Sequence, residues 1–136
     1  MKSLSMRLGL LLVLTAVMIG CKGYEEGPDA SIFTVKDRVT NTWRWQANIL
    51  DGTYRTAQWA DSTIQFSDEH VVSICDAAGE GCRTGAWDLV TKNSRLQLIF
   101  GATTEVYDIR YLSKTEMWLR STNDTASVVE WELVPN

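Results

Sequence analysis

The sequence predicts an all-β domain: a single antiparallel up-and-down β-barrel of about eight short strands, preceded by a short helix. Three observations carry that prediction. From residue 41 onward apolar and polar residues alternate with a period of two, as in strands buried on one face. Turn-forming pairs such as Asp51-Gly52, Asp68-Glu69, Asn93-Ser94, Gly101-Ala102 and Ser113-Lys114 separate the alternating runs at nearly regular spacing. No stretch after residue 40 repeats with a helical period. Strands joined by such short turns are antiparallel, because parallel neighbours need long crossovers. With this many strands, closing the sheet removes its unpaired edges. A two-sheet sandwich is the rival architecture, and no connection is long enough to suggest a Greek key.

In chain order, Ser31 to Val39 reads as a short helix, with Ser31 as N-cap and Ile32, Val35 and Val39 at helical spacing. Trp43, Trp45, Ala47 and Ile49 then alternate with Arg44, Gln46 and Asn48, which places the first four on one face of a strand. Asp51-Gly52 suits a tight hairpin because both positions tolerate positive φ. The segment Thr53 to Trp59 reads either as a return strand or as a loop. Ile64 and Phe66 share the next face, and Ser67-Asp68-Glu69 turns the chain into His70 to Cys75. Thr84 to Val90 places Trp87 with Leu89, and Arg95 to Phe100 places Leu96, Leu98 and Phe100 together. In Glu105 to Leu112 the expected common face is Tyr107, Ile109 and Tyr111. Glu116 to Ser121 and Ser127 to Val134 complete the set, the last with Val129, Trp131 and Leu133 facing away from Glu130 and Glu132.

Ahead of the domain the composition changes. Lys2 and Arg7 precede an apolar run from Leu8 to Ile19, which is shorter than the ~20 residues of a membrane span and has the proportions of a secretory signal. Val17-Met18-Ile19-Gly20-Cys21 resembles the lipobox of bacterial lipoproteins, with Met18 where Leu is commoner. That resemblance implies cleavage before Cys21 and acylation of Cys21. The expected organisation is therefore a signal over residues 1–20, a flexible tether over 21–30 that is rich in Gly and charge, and a barrel domain over 31–136. Lys22-Gly23-Tyr24-Glu25-Glu26 resembles short charged signals that direct some Gram-negative lipoproteins to the outer face of the outer membrane. Outer-membrane attachment follows, with the domain either periplasmic or displayed at the surface.

Removing 20 of 136 residues leaves 116, enough for one domain. Loss of Lys2 and Arg7 takes the basic residues from 13 to 11 against 17 acidic ones, a net charge of -6. Such a chain has no Lys and Arg cluster to displace counterions from phosphates, so no nucleic acid is expected as a partner. Of the three cysteines, Cys21 is assigned to lipid, which leaves Cys75 and Cys82. An oxidising compartment and the glycines between them favour a disulfide, the alternative being two free thiols on adjacent strands. Zinc would need more ligands than these two and the lone His70 supply, and no metal or cofactor is expected.

The order of a lipid-attachment Cys, a Gly-Pro tether, Asn41-Thr42-Trp43-Arg44-Trp45, Thr63-Ile64-Gln65-Phe66, Gly85-Ala86-Trp87-Asp88-Leu89 and Tyr107-Asp108-Ile109-Arg110-Tyr111-Leu112 resembles the bacterial lipocalin-like lipoproteins. The resemblance implies a lipocalin-like barrel over nearly all of the mature chain. It departs from the wider lipocalin pattern at one point: Asn41 stands where a Gly precedes the first-strand Trp, and Gly85-x-Trp87 falls on a middle strand.

Two uses of the barrel interior follow. If Trp43, Trp45, Phe66, Trp87, Leu98, Ile109 and Trp131 all point inward, they either line a pocket for a small apolar or sugar-like ligand or fill the lumen completely. The first makes the protein a binding module, and the second makes it a structural protein docking on an envelope protein partner. Trp118 alternates with Met117 and Leu119 and so marks a groove or docking patch if it faces outward. His70 lies in a turn with no nucleophile placed beside it, Glu130 and Glu132 read as a solvated face, and no phosphate loop or nucleophile elbow occurs, so catalysis is not expected. Asp61-Ser62-Thr63 and Asp124-Thr125-Ala126 match a short acceptor pattern for O-glycosylation of exported proteins.

Overall fold

The computed structural model describes residues 33–123 and 126–136. The signal over 1–20, the acylation site Cys21, the tether over 21–30, Ser31 with Ile32, and Asp124 with Thr125 lie outside the described residues. The helix α1 (Val35–Val39) is capped by Thr34 in place of the expected Ser31. Thr34-x-x-Asp37 is a capping box: the Thr34 hydroxyl accepts from the Asp37 N–H at 3.1 Å, and the Asp37 carboxylate accepts from the Thr34 N–H at 2.9 Å. The Thr34 hydroxyl, which also donates to the Asp37 carboxylate at 2.8 Å, and then the Thr34 N–H hold the Asp37 carboxyl below its ordinary titration range.

Nine strands follow: β1 (Asn41–Leu50), β2 (Thr53–Tyr54), β3 (Thr63–Phe66), β4 (Val71–Cys75), β5 (Arg83–Val90), β6 (Arg95–Phe100), β7 (Thr103–Leu112), β8 (Met117–Ser121) and β9 (Val129–Pro135). Eight of them form a closed antiparallel barrel. β3 to β9 pair in sequence order, and β1 pairs with β3 on one edge and with β9 on the other. β2 is an addition to the far end of β1, where Leu50 pairs with Thr53 across Asp51 and Gly52, both at positive φ. A 3-10 helix (Thr56–Trp59) follows it, so the ambiguous segment is a two-residue strand and one helical turn.

Two bulges reset which residues face inward. Between β1 and β9 the register shifts across Gln46: Trp45 pairs with Leu133, and Ala47 with Glu132. An extra residue reverses the alternation beyond it. Asn48 therefore sits opposite Trp131 and is buried, while Ile49, expected on the inner face, is only half-buried. The second shift, across Arg110 on β7, pairs Ile109 with Leu119 but Tyr111 with Trp118. Tyr111 therefore leaves the face it was expected to share with Tyr107 and Ile109, and Leu112 takes the inner position with no exposure. Tyr111 instead packs on the exposed Trp118 ring at 5.0 Å.

The barrel is closed at one end and open at the other. Val39, Trp43, Ile64, Leu112, Met117 and Leu133 have no exposed surface and fill the end at which α1 enters. The Trp43 indole N–H donates to the Val39 carbonyl at 2.9 Å, which fastens α1 over that end. On β5, Gly85 is required by a close approach: a Cβ there would collide with the Ile99 carbonyl oxygen and the Phe100 ring. At the opposite end lie the β1–β2 hairpin, the 3-10 helix, the β4–β5 hairpin and the β8–β9 connection.

Candidate functional site

At the open end the lumen widens into a cavity of about 700 Å³. The inward rows of several strands explain its chemistry, because each carries large apolar residues toward the closed end and changes character near the mouth. On β5 the row reads Trp87, Gly85, Arg83; on β7 it reads Ile109, Tyr107, Glu105; on β8 it reads Met117, Leu119, Ser121. Arg83, Glu105 and Ser121 line the cavity as a result. Polar residues at these positions are the reason the lumen is not filled there, since burying them without partners is unfavourable.

One wall is aromatic. Trp45 packs between Trp59 of the 3-10 helix, at 4.8 Å, and the edge of Trp131, at 5.5 Å. Trp131 in turn stacks on Tyr107 at 4.6 Å. Trp59, Trp131 and Tyr107 line the cavity. The Trp45 and Trp131 indole N–H groups are buried with no acceptor among the described residues. The Tyr107 hydroxyl donates to the Glu105 carboxylate at 2.8 Å, and Arg83 lies 3.9 Å from the other carboxylate oxygen. Burial, followed by the Glu105 charge, raises the Tyr107 phenol above its ordinary range, so it remains a donor. The Arg83 guanidinium also covers the Phe100 ring, 3.9 Å from its centre.

Asn48 is the buried polar side chain of this wall, 5% exposed. Its backbone is satisfied: the N–H donates to the Thr56 hydroxyl at 3.1 Å, and the carbonyl accepts from Arg55 at 2.7 Å. Its amide lines the cavity and has no hydrogen-bond partner among the described residues. Asn123, also in the lining, differs, because its amide is committed to the Thr104 carbonyl and the Val106 N–H. The charged lining groups balance, with Arg55 and Arg83 against Asp76 and Glu105. A disulfide joins Cys75 to Cys82 at the mouth and closes the β4–β5 loop, in which Asp76 accepts from the Glu80 N–H at 3.2 Å. The alternative of two free thiols is therefore set aside.

Of the seven aromatic and aliphatic residues expected to face the lumen, all are buried, but only Trp131 reaches the cavity. Trp43, Trp45, Phe66, Trp87, Leu98 and Ile109 belong to the packed core. The barrel is thus solid over one half and hollow over the other. Trp59, Asn48, Arg83 and Glu105 were not anticipated. Arg83 and Glu105 were legible in principle, since each is an ionisable residue on the inward parity of its strand. Asn48 was not, because its orientation depends on the bulge at Gln46.

His70 lies at the closed-end side of β4 and outside this site. Its Nδ1 donates to the Trp87 carbonyl at 3.0 Å, and its ring stacks on Trp87 at 5.1 Å. Among the described residues no group of three or more His, Cys, Asp or Glu is placed to hold a metal ion. No family model matches the chain, and no curated protein matches it in sequence.

Proposed function

We propose that the protein is a lipid-anchored lipoprotein of the bacterial cell envelope whose barrel binds one small ligand at its open end. The observation that carries the binding reading is the cavity itself. Its volume falls within the range of small-molecule sites, and it combines an aromatic wall with a few convergent polar groups. The anchor rests on the lipobox resemblance at Val17 to Cys21, and three acyl chains exceed the two-signal threshold for stable attachment. Placement at the outer membrane rests on the charged residues after Cys21. The chain enters the barrel at its closed end, where the Lys114 ammonium lies 3.2 Å from the Phe33 ring centre and Arg38 reaches the Phe33 and Leu112 carbonyls. A tether running from Cys21 therefore joins the barrel from its closed end.

A second reading, docking on an envelope protein, is favoured by the outward Tyr111–Trp118 pair and the solid half of the barrel. Native mass spectrometry of the protein extracted gently from its own envelope tests both parts. The expected species begins at Cys21, carries the mass of three acyl chains, and retains a reproducible small-molecule adduct. An unacylated chain that retains residues 1–20 overturns the anchor. An acylated chain with no adduct overturns the binding module in favour of docking.

A further inference from the structure

The chemistry of the mouth also selects a class of ligand, given the reading of the cavity as a binding site. We infer that the cavity takes an uncharged hydroxylated ring, a neutral saccharide unit, seated on the Trp59 and Trp131 wall with its hydroxyls on Asn48. The Asn48 amide carries this inference. The residue is only 5% exposed, its amide faces the cavity, and no hydrogen bond ties that amide to another described residue, whereas the Asn123 amide donates to the Thr104 carbonyl and accepts from the Val106 N–H. An amide offers two N–H donors and a carbonyl acceptor. Neighbouring sugar hydroxyls, each both donor and acceptor, match that set. A wholly apolar ligand would cover the amide and leave it unpaired, which is the costlier outcome.

Two further features point the same way. The C–H face of a pyranose is apolar and packs against flat aromatic surface, and Trp59 and Trp131 supply such surface from two different elements. The charged lining groups sum to zero, and two of them pair. Arg83 lies against Glu105, Glu105 accepts from Tyr107, Arg55 donates to the neutral Gln58 side chain at 3.0 Å, and Asp76 accepts from the Glu80 N–H. A carboxylate or phosphate ligand would have to compete with Glu105 for Arg83, while a neutral ring uses the pair as further hydrogen-bonding groups. Ser62, Ser121 and Gln58 add neutral donors and acceptors around the rim.

The test uses the full acylated protein in a detergent without a sugar headgroup. It is titrated with a panel of neutral mono- and disaccharides, with glucuronate and glucose 6-phosphate, and with decanoate. Binding is read by tryptophan fluorescence and by native mass. At least one neutral saccharide is expected to bind, and Asn48→Leu is expected to weaken it by about tenfold or more with the thermal transition retained. Trp59→Leu, at a partly exposed ring on the 3-10 helix, is the second variant if Asn48→Leu does not fold, with the same loss expected. Binding of decanoate alone, unchanged or strengthened by Asn48→Leu, overturns the saccharide class and leaves the cavity a binding site. Preference for the anionic sugars overturns the neutral class in the same way. Failure of every probe to bind overturns the inference together with the reading of the cavity on which it rests.

Discussion

Trp87 and Trp118 carry the same side chain into opposite environments. Trp87 is 1% exposed, meets Phe66 edge-on at 5.6 Å, and donates its indole N–H to the Ser67 carbonyl at 2.9 Å. Trp118 is 40% exposed and, among the described residues, rests on the Tyr111 ring alone of the aromatic rings. Truncation of a buried aromatic removes both its burial and its packing, so Trp87→Ala is expected to lower unfolding stability by about 3 to 5 kcal/mol. Trp118→Ala is expected to cost only about 1 kcal/mol, the scale of one exposed aromatic pair. Urea unfolding of the two variants checks the contrast, and a loss of several kcal/mol for Trp118 would return that ring to the core. Tyr107 supplies a pH dependence. Its phenol is raised in the folded state by burial and by Glu105, while in the unfolded chain it titrates near its ordinary value of ~10. Above that pH the unfolded state binds fewer protons than the folded one, so stability present at neutral pH is lost as pH rises. Melting temperature should therefore fall between about pH 9 and pH 11, and fall less in Tyr107→Phe, which keeps the ring stacked on Trp131.

The elements that shape the site are held by local devices of unequal strength. β1 has a long pairing with β9 and a short one with β3, so the mouth end of β1 is supported on its other edge only by two-residue β2 and the 3-10 helix. The β4–β5 hairpin has four paired positions, and the Cys75–Cys82 bridge closes it at the lip of the cavity. Cross-linking a loop of this length restricts the unfolded chain. The Cys75→Ala/Cys82→Ala double variant is therefore expected to lose about 2 to 3 kcal/mol. Denaturant unfolding measures that loss. Mass spectrometry after alkylation without reduction should find neither cysteine modified in the parent protein. On the far side of the barrel the β5–β6 turn holds Thr91, Lys92 and Asn93 at positive φ, and the Thr91 carbonyl accepts from both the N–H and the hydroxyl of Ser94. Those hydrogen bonds offset a conformation that a β-branched residue adopts at a cost.

At the scale of the whole molecule, one closed sheet holds a solid half and a hollow half. The solid half contains the fully buried aliphatics, Trp43 and the lid made by α1, and it supplies the stability against which the polar mouth is carried. A lumen filled to both ends would leave no room at Asn48, and a hollow one would forgo the packing of the closed end. Under the proposed acylation of Cys21, the residues between Cys21 and Phe33 would span at most about 40 Å when extended, which bounds how far Phe33 can lie from the acyl chains. Feeding cells an alkyne-tagged fatty acid should label the wild-type protein, and Cys21→Ser should abolish the label. Label persisting in that variant would overturn the anchor.

The sequence by itself determined the eight barrel strands, their antiparallel order, the burial of Trp43, Trp45, Phe66, Trp87, Leu98, Ile109 and Trp131, and the cysteine pair. Each of these follows from a local pattern: a period of two, a turn chemistry, or a spacing of a few residues. The lipobox resemblance on which the proposed anchor rests is equally local, in Val17 to Cys21. Only the tertiary structure decided which part of the lumen is empty. That depends on register between strands far apart in the chain, as where Asn48 meets Trp131, and on the bulges at Gln46 and Arg110. A bulge is a property of two paired strands, and one residue of slip exchanges the two faces, so neither strand's own pattern records it. Asn48, polar within an apolar alternation, is turned inward by a neighbour more than eighty residues away.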